Sequence, residues 1–368
     1  MVKIIQSNLQ LFDLLSDEKT LFLQSDKILP EGFNTDLKKS CLERAIVFGC
    51  SNYFDFIPNQ DLMKALNQSI EINVYSNIYE GIKKSKQILF HGRTIDDVFL
   101  RNIDSDIYFL KNGETLKSSD KKHFYSRAEE FEIPVLPYTF ISANDSFVIL
   151  RMLRKSQLFI QETNNSGGRG NYLITSEQEV ETLPKNKQLI VTPYIEKEKI
   201  EKNASFFGWM NKENLNIEYI VGQKTENLIY SGSSFPIKLN KNDKKQLDKI
   251  FKGITSYLIS EKYEGPVGFD LLKVNKAWYA MDPNLRLTAS FFPYYIGKTL
   301  NHTSWESIEI DTETIPQEKV FSGLKQANLG TKIMPYFMQD NLFLFLYVGQ
   351  EDNNRNKINF LESLNLEK

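Results

Sequence analysis

Short apolar runs separated by polar or glycine-rich stretches organise this chain, and their spacing changes along its length. Before residue 117, apolar runs at 45–49, 70–75, 87–90 and 106–110 accompany a helix-like stretch at 61–68. Strand, helix and strand in that order predict a small parallel α/β sheet. Lys117-Ser118-Ser119-Asp120 reads as a polar linker ending in a helix cap, with Asp120 placed to accept from the first-turn N–H groups of a helix over 121–131. Pro134 and Pro137 then force an extended exit. Next come a strand at 158–160, a polar glycine loop, a strand at 172–174 and a short helix at 176–183. A strand at 189–195 contains Pro193, which marks a sheet edge or an exit. Runs at 204–210 and 215–221 read as paired strands. The stretch 243–259 is an amphipathic helix with Leu247, Ile250, Phe251, Ile254 and Leu258 on one face. A second hairpin joins 268–274 to 277–281, and the tail from 301 to 368 adds two strand candidates and a short helix.

Composition narrows the class without naming a chemistry. At 368 residues the chain suits two or three packed subdomains rather than one core. With 41% hydrophobic and 25% charged residues it belongs with globular chains, not disordered ones. A net charge of −2 gives nothing to draw the whole molecule to nucleic acid or anionic lipid. Cys41 and Cys50 are too few for a disulfide framework or a thiolate zinc site. His91, His123 and His302 have no ligand-spaced partners. The N-terminus shows no signal-peptide run, and no stretch reaches the ~20 apolar residues of a membrane span, so a cytoplasmic protein is expected.

Chemistry must therefore rest on carboxylates, amines, backbone dipoles and a bound cofactor, and two hairpins offer it. Residues 161–171, Gln-Glu-Thr-Asn-Asn-Ser-Gly-Gly-Arg-Gly-Asn, form a hairpin tip rich in glycine. Glycine lets backbone N–H groups approach an anion without Cβ interference, so a phosphate-covering flap is one reading and an ordinary flexible hairpin the other. In the second hairpin, a three-residue turn at 275–277 would set Asp270 directly opposite Asp282 on one face. Like charges across a sheet repel unless a cation lies between them. Mg²⁺ held by one or two carboxylates plus phosphate oxygens would resolve the repulsion, with Asn284 as a further oxygen donor. Arg286 then supplies a forked cation for phosphate or carboxylate. Taken alone, the two aspartates also suit a solvated strand edge.

The order apolar–loop–Ser166-Gly167-Gly168-Arg169-Gly170–apolar, then Pro193-Tyr194-Ile195-Glu196, then Gly-Phe-Asp at 268–270 and Met-Asp-Pro-Asn-Leu-Arg at 281–286, resembles the ATP-grasp superfamily over about residues 118–300. The resemblance implies an α/β and α+β protein in which two α+β lobes, 118–195 and 196–368, clasp ATP. A small parallel α/β domain, 1–117, precedes them. It implies that Lys121 reaches the nucleotide phosphates, although a lysine there also suits a plain first helical turn. Ser166, Gly167, Gly168 and Gly170 of the flap fold over the phosphates, with Arg169 among them. The strand end at Pro193, Tyr194 and Ile195 becomes the adenine hinge, its Pro193 carbonyl and Ile195 N–H reading the base. Glu196 or Glu198 falls near the ribose, and is otherwise part of a charged loop. One or two Mg²⁺ ions, or Mn²⁺, sit on Asp270, Asp282 and Asn284, and Arg286 clamps the transferring phosphoryl or the acyl oxygen.

Two positions depart from the family pattern. Gln161 stands where a lysine ends the strand before the flap, which leaves Arg169 or another cation to neutralise phosphate. Asp282 stands where glutamate is usual, a change of reach rather than of charge. The implied activity is an ATP-dependent ligase that makes an acyl phosphate from a small carboxylate and joins it to an amine, with an amino acid or peptide as candidate substrate. Gln161 favours the alternative, a catalytically weakened nucleotide-binding or regulatory protein, and a kinase that releases the phosphorylated product stays open. No nucleic acid or membrane partner is expected, and a homodimer is left open. Thr288 and Ser290 either bond substrate or cap the following segment, and Phe291, Phe292, Tyr294 and Tyr295 are either core or pocket.

Overall fold

The computed structural model describes residues 20–24, 47–48, 87–91, 106–107, 120–163, 170–226, 228–263, 265–285, 288–299, 301–311, 315, 319, 333–339, 343–349 and 354–364. The elements expected at 61–68 and 70–75 lie outside these residues, as do Ser166, Gly167, Gly168, Arg169 and Arg286.

In the N-terminal part, β1 (Thr20–Gln24), β2 (Val47–Phe48), β3 (Gln87–His91) and β4 (Asp106–Ile107) form a sheet in the order β2-β1-β3-β4, every pairing parallel. Its central strand β1 was not among the expected elements.

The chain then enters α1 (Lys121–Ala128), whose cap is as expected: the Asp120 carboxylate accepts from the Lys122 N–H at 2.8 Å. The helix tightens to a 3₁₀ turn over Glu129–Phe131 and ends with Glu132 at φ 54°. Strands β5 (Thr139–Ser142), β6 (Leu158–Glu162), β7 (Asn171–Ile174) and β8 (Gln188–Pro193) form an antiparallel sheet in the order β5-β8-β6-β7. Helices α2 (Ser146–Leu153) and α3 (Glu177–Glu181) cover one face of it. Period-two alternation sends Leu158, Ile160, Leu189 and Val191 into the core with Ile149 and Val180, and leaves Phe159, Gln161 and Thr192 on the other face. Because β8 is interior, Pro193 marks an exit and not an edge.

The largest sheet has eight antiparallel strands: β9 (Ile200–Met210), β10 (Leu215–Glu226), β11 (Ile229–Phe235), β12 (Gly265–Val274), β13 (Ala277–Asn284), β14 (Trp305–Asp311), β15 (Ile333–Gln339) and β16 (Phe343–Gly349). Their order is β13-β12-β9-β10-β11-β14-β16-β15. Helix α4 (Lys241–Ser260) buries Leu247, Ile250, Ile254 and Leu258, as its apolar stripe requires. Phe206 and Phe269, on one face of the sheet, meet Phe251 of α4 and Phe124 of α1 at 4.8 Å and 5.2 Å between ring centroids. Helix α5 (Phe291–Thr299) packs Phe291 on Phe207 and stacks Tyr294 on Tyr219, so these two aromatics serve the core. Helix α6 (Asn354–Ser363) closes the described chain. Among the described residues no helix is long and apolar enough to cross a membrane.

Gly253 lets α4 approach the end of the α1 segment. A Cβ there would lie 2.6 Å from the Phe131 carbonyl oxygen and 2.8 Å from Ile133 Cγ1. Alanine gains about 1 kcal/mol in helix propensity, while overpacking against backbone costs about 1–3 kcal/mol. Gly253→Ala is therefore expected to be neutral to destabilising. A rise in melting temperature beyond the propensity gain would show that the two segments are not held against each other.

Candidate functional site

A cavity of about 320 Å³ opens between the four-stranded antiparallel sheet and the eight-stranded one. It gathers Lys121, Gln161, Pro193, Tyr194, Ile195, Asp270, Asp282 and Asn284, residues spread over 164 positions of sequence (121 to 284, both counted). Glu196 is not in its wall. It is exposed and pairs with Lys199 at 2.8 Å, so the structure does not bring it to the other candidates. Gly170 closes the first hairpin at φ 73°, its carbonyl accepting from the Glu162 N–H at 2.9 Å.

The two aspartates reach this cavity by a route that corrects the expected register. The turn of the β12–β13 hairpin has two residues: Val274 pairs with Ala277, and Asn275 and Lys276 take φ of 49° and 65°. Such twisted two-residue turns match the twist of the strands they join. On that register alone Asp270 would face Met281. A bulge intervenes, since Leu271 pairs with Ala280 while Phe269 pairs with Pro283. Met281 and Asp282 together span the gap across from Asp270, so the two carboxylates are not directly opposite. Asn284 stands opposite Gly268, on the face that Asp270 shares. The extra residue of a bulge leaves no mark in hydrophobic spacing.

Asp282 is anchored from outside its own sheet. Lys121 Nζ lies 2.6 Å from its Oδ2, with 6% of the lysine side chain exposed. The other oxygen, Asp282 Oδ1, is buried and has no hydrogen-bond partner. Tyr125, one turn along α1, is also fully buried with its hydroxyl unpartnered; burial first and Asp282 second hold its pKa well above the usual tyrosine value. Asp270 Oδ1 accepts from Gln223 Nε2 at 2.7 Å. Gln161 is 4% exposed; its Nε2 donates to Asn171 Oδ1 at 3.3 Å, and its Oε1 is buried without a partner. Thr288 and Ser290 share a hydrogen bond of 3.0 Å in the cavity wall.

Sequence spacing did not single out Gln223, Tyr230, Ser233, Asn203 or Ser205, all of which line the same space. Tyr230 and Ser233 hydrogen-bond at 2.8 Å, and burial pushes the Tyr230 hydroxyl up to about 12, which keeps it a neutral donor. The available signal was alternation: on β9, Asn203 and Ser205 interleave with Ala204 and Phe206.

No protein-family model and no curated protein matches the sequence. Solved structures match the fold over nearly its whole length. Carboxyaminoimidazole ribonucleotide synthase from Aspergillus clavatus, complexed with ATP, superposes at a TM-score of 0.62 and 10% identity, over 94% of this chain and 98% of that one. N5-carboxyaminoimidazole synthase from the same organism, in complex with ADP and 5-aminoimidazole ribonucleotide, gives 0.62 at 9% identity with the same coverage of 94% and 98%. A protein of Archaeoglobus fulgidus assigned to the ATP-grasp superfamily gives 0.52 at 13%, over 90% of this chain and 100% of that one. The chain has the ATP-grasp fold. Within this fold, α1, which carries Lys121, bridges to the β13 strand of the eight-stranded sheet at Asp282.

Proposed function

We propose that this protein is an ATP-dependent ligase that activates a small carboxylate as an acyl phosphate and joins it to an amine. The observation that carries the reading is the convergence on one cavity of a buried lysine, two aspartates on a bulged hairpin and a strand exit suited to a purine. Proteins of the same fold described as ribonucleotide synthases, one with ATP bound and one with ADP and an amine-bearing ribonucleotide, support it. The proposed lobes are 118–195 and 196–368, with 1–117 as the preceding domain.

The hinge assignment follows from strand alternation. Tyr194 N–H donates to the Gln157 carbonyl at 2.8 Å, so the Pro193 carbonyl and Ile195 N–H turn to the opposite edge, beyond the last β5–β8 pair at Thr139 and Val191. An adenine amino group and N1 offer the matching donor and acceptor. Lys121 then faces the phosphates, and the flap residues Ser166, Gly167, Gly168, Arg169 and Gly170 cover them.

The donors present fit Mg²⁺. They are hard oxygens, and Asp282 Oδ1 is a buried acceptor in want of a cation or donor. Among the described residues no group of three or more His, Cys, Asp or Glu could hold a metal alone. That agrees with an ion completed by phosphate oxygens, to which Asp270, Asp282 and Asn284 would contribute. When bound, Mg²⁺ would neutralise phosphate charge. Lys121 orients Asp282 and the phosphates, and Gln223 holds Asp270. Arg286 stabilises charge at the transferring phosphoryl. A carboxylate oxygen attacks the γ-phosphorus and ADP leaves. The amine nitrogen then attacks the acyl carbon, phosphate departs, and the amine proton passes to phosphate oxygen. An amino acid, a peptide or a similar small acid is the proposed carboxylate substrate.

The test is ADP release from Mg·ATP against amino acids, short peptides and small acids, alone and paired with amines. Release that requires both partners, with an amide as product, is expected. Release with the acid alone and a stable phosphorylated product would make the protein a kinase. ATP-induced stabilisation without release from any pair would favour the nucleotide-binding reading that Gln161 suggested.

A further inference from the structure

A second cavity, of about 860 Å³, lies where the segment after α1, the first half of α4 and the start of β13 meet. That volume falls in the roughly 300–1,000 Å³ range of small-molecule sites. Of the residues in its wall, Leu136 alone also lines the first cavity. Ile133, Leu136, Pro137, Ile250 and the ring of Tyr138 make much of the wall apolar. Several polar groups there are met within the protein. The Pro134 carbonyl accepts from the Ala280 N–H at 2.8 Å, and Gln246 accepts from the Trp278 N–H at 3.1 Å and donates to the Lys276 carbonyl at 2.9 Å. Tyr125 is different. It is 1% exposed, stands in this wall and not in that of the first cavity, and its hydroxyl has no partner. Asp282 Oδ1 does not take its proton, since that atom is unpartnered too. A buried tyrosine hydroxyl ordinarily finds a partner, so this one calls for an acceptor brought by a ligand.

The charges of the wall define the other end of that ligand. Glu129 and Glu132 are both exposed and follow the last turn of α1, where the helix carbonyls already make the potential negative. Lys249 is the one cation among the described residues of the wall. We propose that this cavity binds a small primary amine with an apolar body and a neutral oxygen. Its ammonium sits at Glu129 and Glu132, its body lies along Leu136 and Pro137, and its oxygen accepts from the Tyr125 hydroxyl. The oxygen must be neutral, because Asp282 is near enough to add to the effect of burial in raising the Tyr125 pKa, and it would repel a second anion. Tyr125 stands one helical turn before Glu129 and about two before Glu132. Ammonium and oxygen are thereby set about 6–10 Å apart, the scale of a para-substituted phenethylamine. The assignment stands on this cavity alone and does not rest on the ATP-dependent reading.

The probe is 4-methoxyphenethylamine, compared with 4-ethylphenethylamine, which has the same shape without the oxygen, and with 3-(4-methoxyphenyl)propanoate, which reverses the charge. Binding is measured by calorimetry, without nucleotide, on the full chain, on Tyr125→Phe and on the double variant Glu129→Gln, Glu132→Gln. The intact protein is expected to bind the methoxy amine saturably and about tenfold more tightly than the ethyl amine, the effect of one hydrogen bond to a buried donor. The propanoate is expected not to bind. Tyr125→Phe keeps the ring and removes only the unpartnered hydroxyl, so the ratio between the two amines should fall to near one. The double variant alters exposed positions outside the first cavity and should weaken both amines severalfold. Absence of saturable binding at millimolar amine overturns the proposal. So does binding that is indifferent to Glu129 and Glu132, which would place the amine elsewhere. Equal affinities of the two amines for the intact protein overturn it even if Tyr125→Phe fails to fold.

Discussion

Asp282→Asn is expected to lower Mg·ATP-dependent turnover by two orders of magnitude or more while leaving the fold in place. Asparagine keeps the volume and one oxygen, so packing around β13 is preserved. It removes the charge that pairs with Lys121 at 2.6 Å and the carboxylate oxygen that stands buried without a partner. Charge stabilisation at a transferring phosphoryl group is worth several kcal/mol, and each ~1.4 kcal/mol is a factor of ten in rate. Two readouts separate this from mere damage. The melting temperature without nucleotide should stay within a few degrees of the parent, and the added stabilisation by Mg²⁺ with a non-hydrolysable ATP analogue should shrink. Turnover within about threefold of the parent, roughly 0.7 kcal/mol, would show that Asp282 has no part in holding metal or phosphate.

The largest effect on stability is expected at Asp243→Ala, far from the chemistry. Asp243 is wholly buried at the start of α4, where it completes a capping box by accepting from the Asn240 N–H at 3.1 Å. Its other contacts are Trp278 Nε1 at 3.0 Å, Lys273 Nζ at 2.9 Å and Lys202 Nζ at 3.6 Å. These tie α4 to both strands of the hairpin that presents Asp270 and Asp282. Removing the carboxylate leaves the buried Lys273 with Glu201 alone, at 2.9 Å. Breaking one side of a buried pair typically costs about 3–5 kcal/mol. Asp243→Asn should cost less, because an amide oxygen still accepts from Asn240 or Trp278. The same network predicts acid sensitivity. Burial pushes the Asp243 carboxyl up, but hydrogen bonds from Lys273, Trp278 and the Asn240 backbone outweigh it and bring the pKa down to about 2 from 3.8. A depressed folded value means that the stabilisation is complete above pH ~4 and is lost as pH falls toward 2. Denaturant titrations at pH 7 and pH 2.5 check both points. An alanine variant that loses under about 1 kcal/mol, well short of the usual cost, would show that the network does not hold the hairpin.

Much of the architecture could be read from pattern because each segment answers to a local rule. Asp120 capped its helix, the α4 stripe buried Leu247, Ile250, Ile254 and Leu258 and left Phe251 half-buried, and the two hairpins formed where glycine or Asn-Lys interrupts apolar runs. The candidate residues Lys121, Gln161, Asp270, Asp282 and Asn284 came to one cavity, although sequence order separates them widely. What pattern did not give was register and environment. A bulge places Asp282 without altering the run of apolar residues, so a symmetrical opposition with Asp270 was the natural but incorrect expectation. Glu196 looked suitable by position in the chain, yet the 3₁₀ turn at Lys197–Lys199 lets it pair outward with Lys199. Gln223 and Tyr230 were invisible because a polar residue on a strand reads as solvated until the opposing sheet is known to cover it.

A crystal structure with Mg²⁺ and a non-hydrolysable ATP analogue tests the central claim most directly. The account predicts adenine against Pro193 and Ile195, phosphates at Lys121, and a metal bound by Asp282 through the oxygen that has no partner here. Nucleotide bound outside this cavity, or bound within it while Lys121 and Asp282 remain paired and hold neither phosphate nor metal, would contradict it.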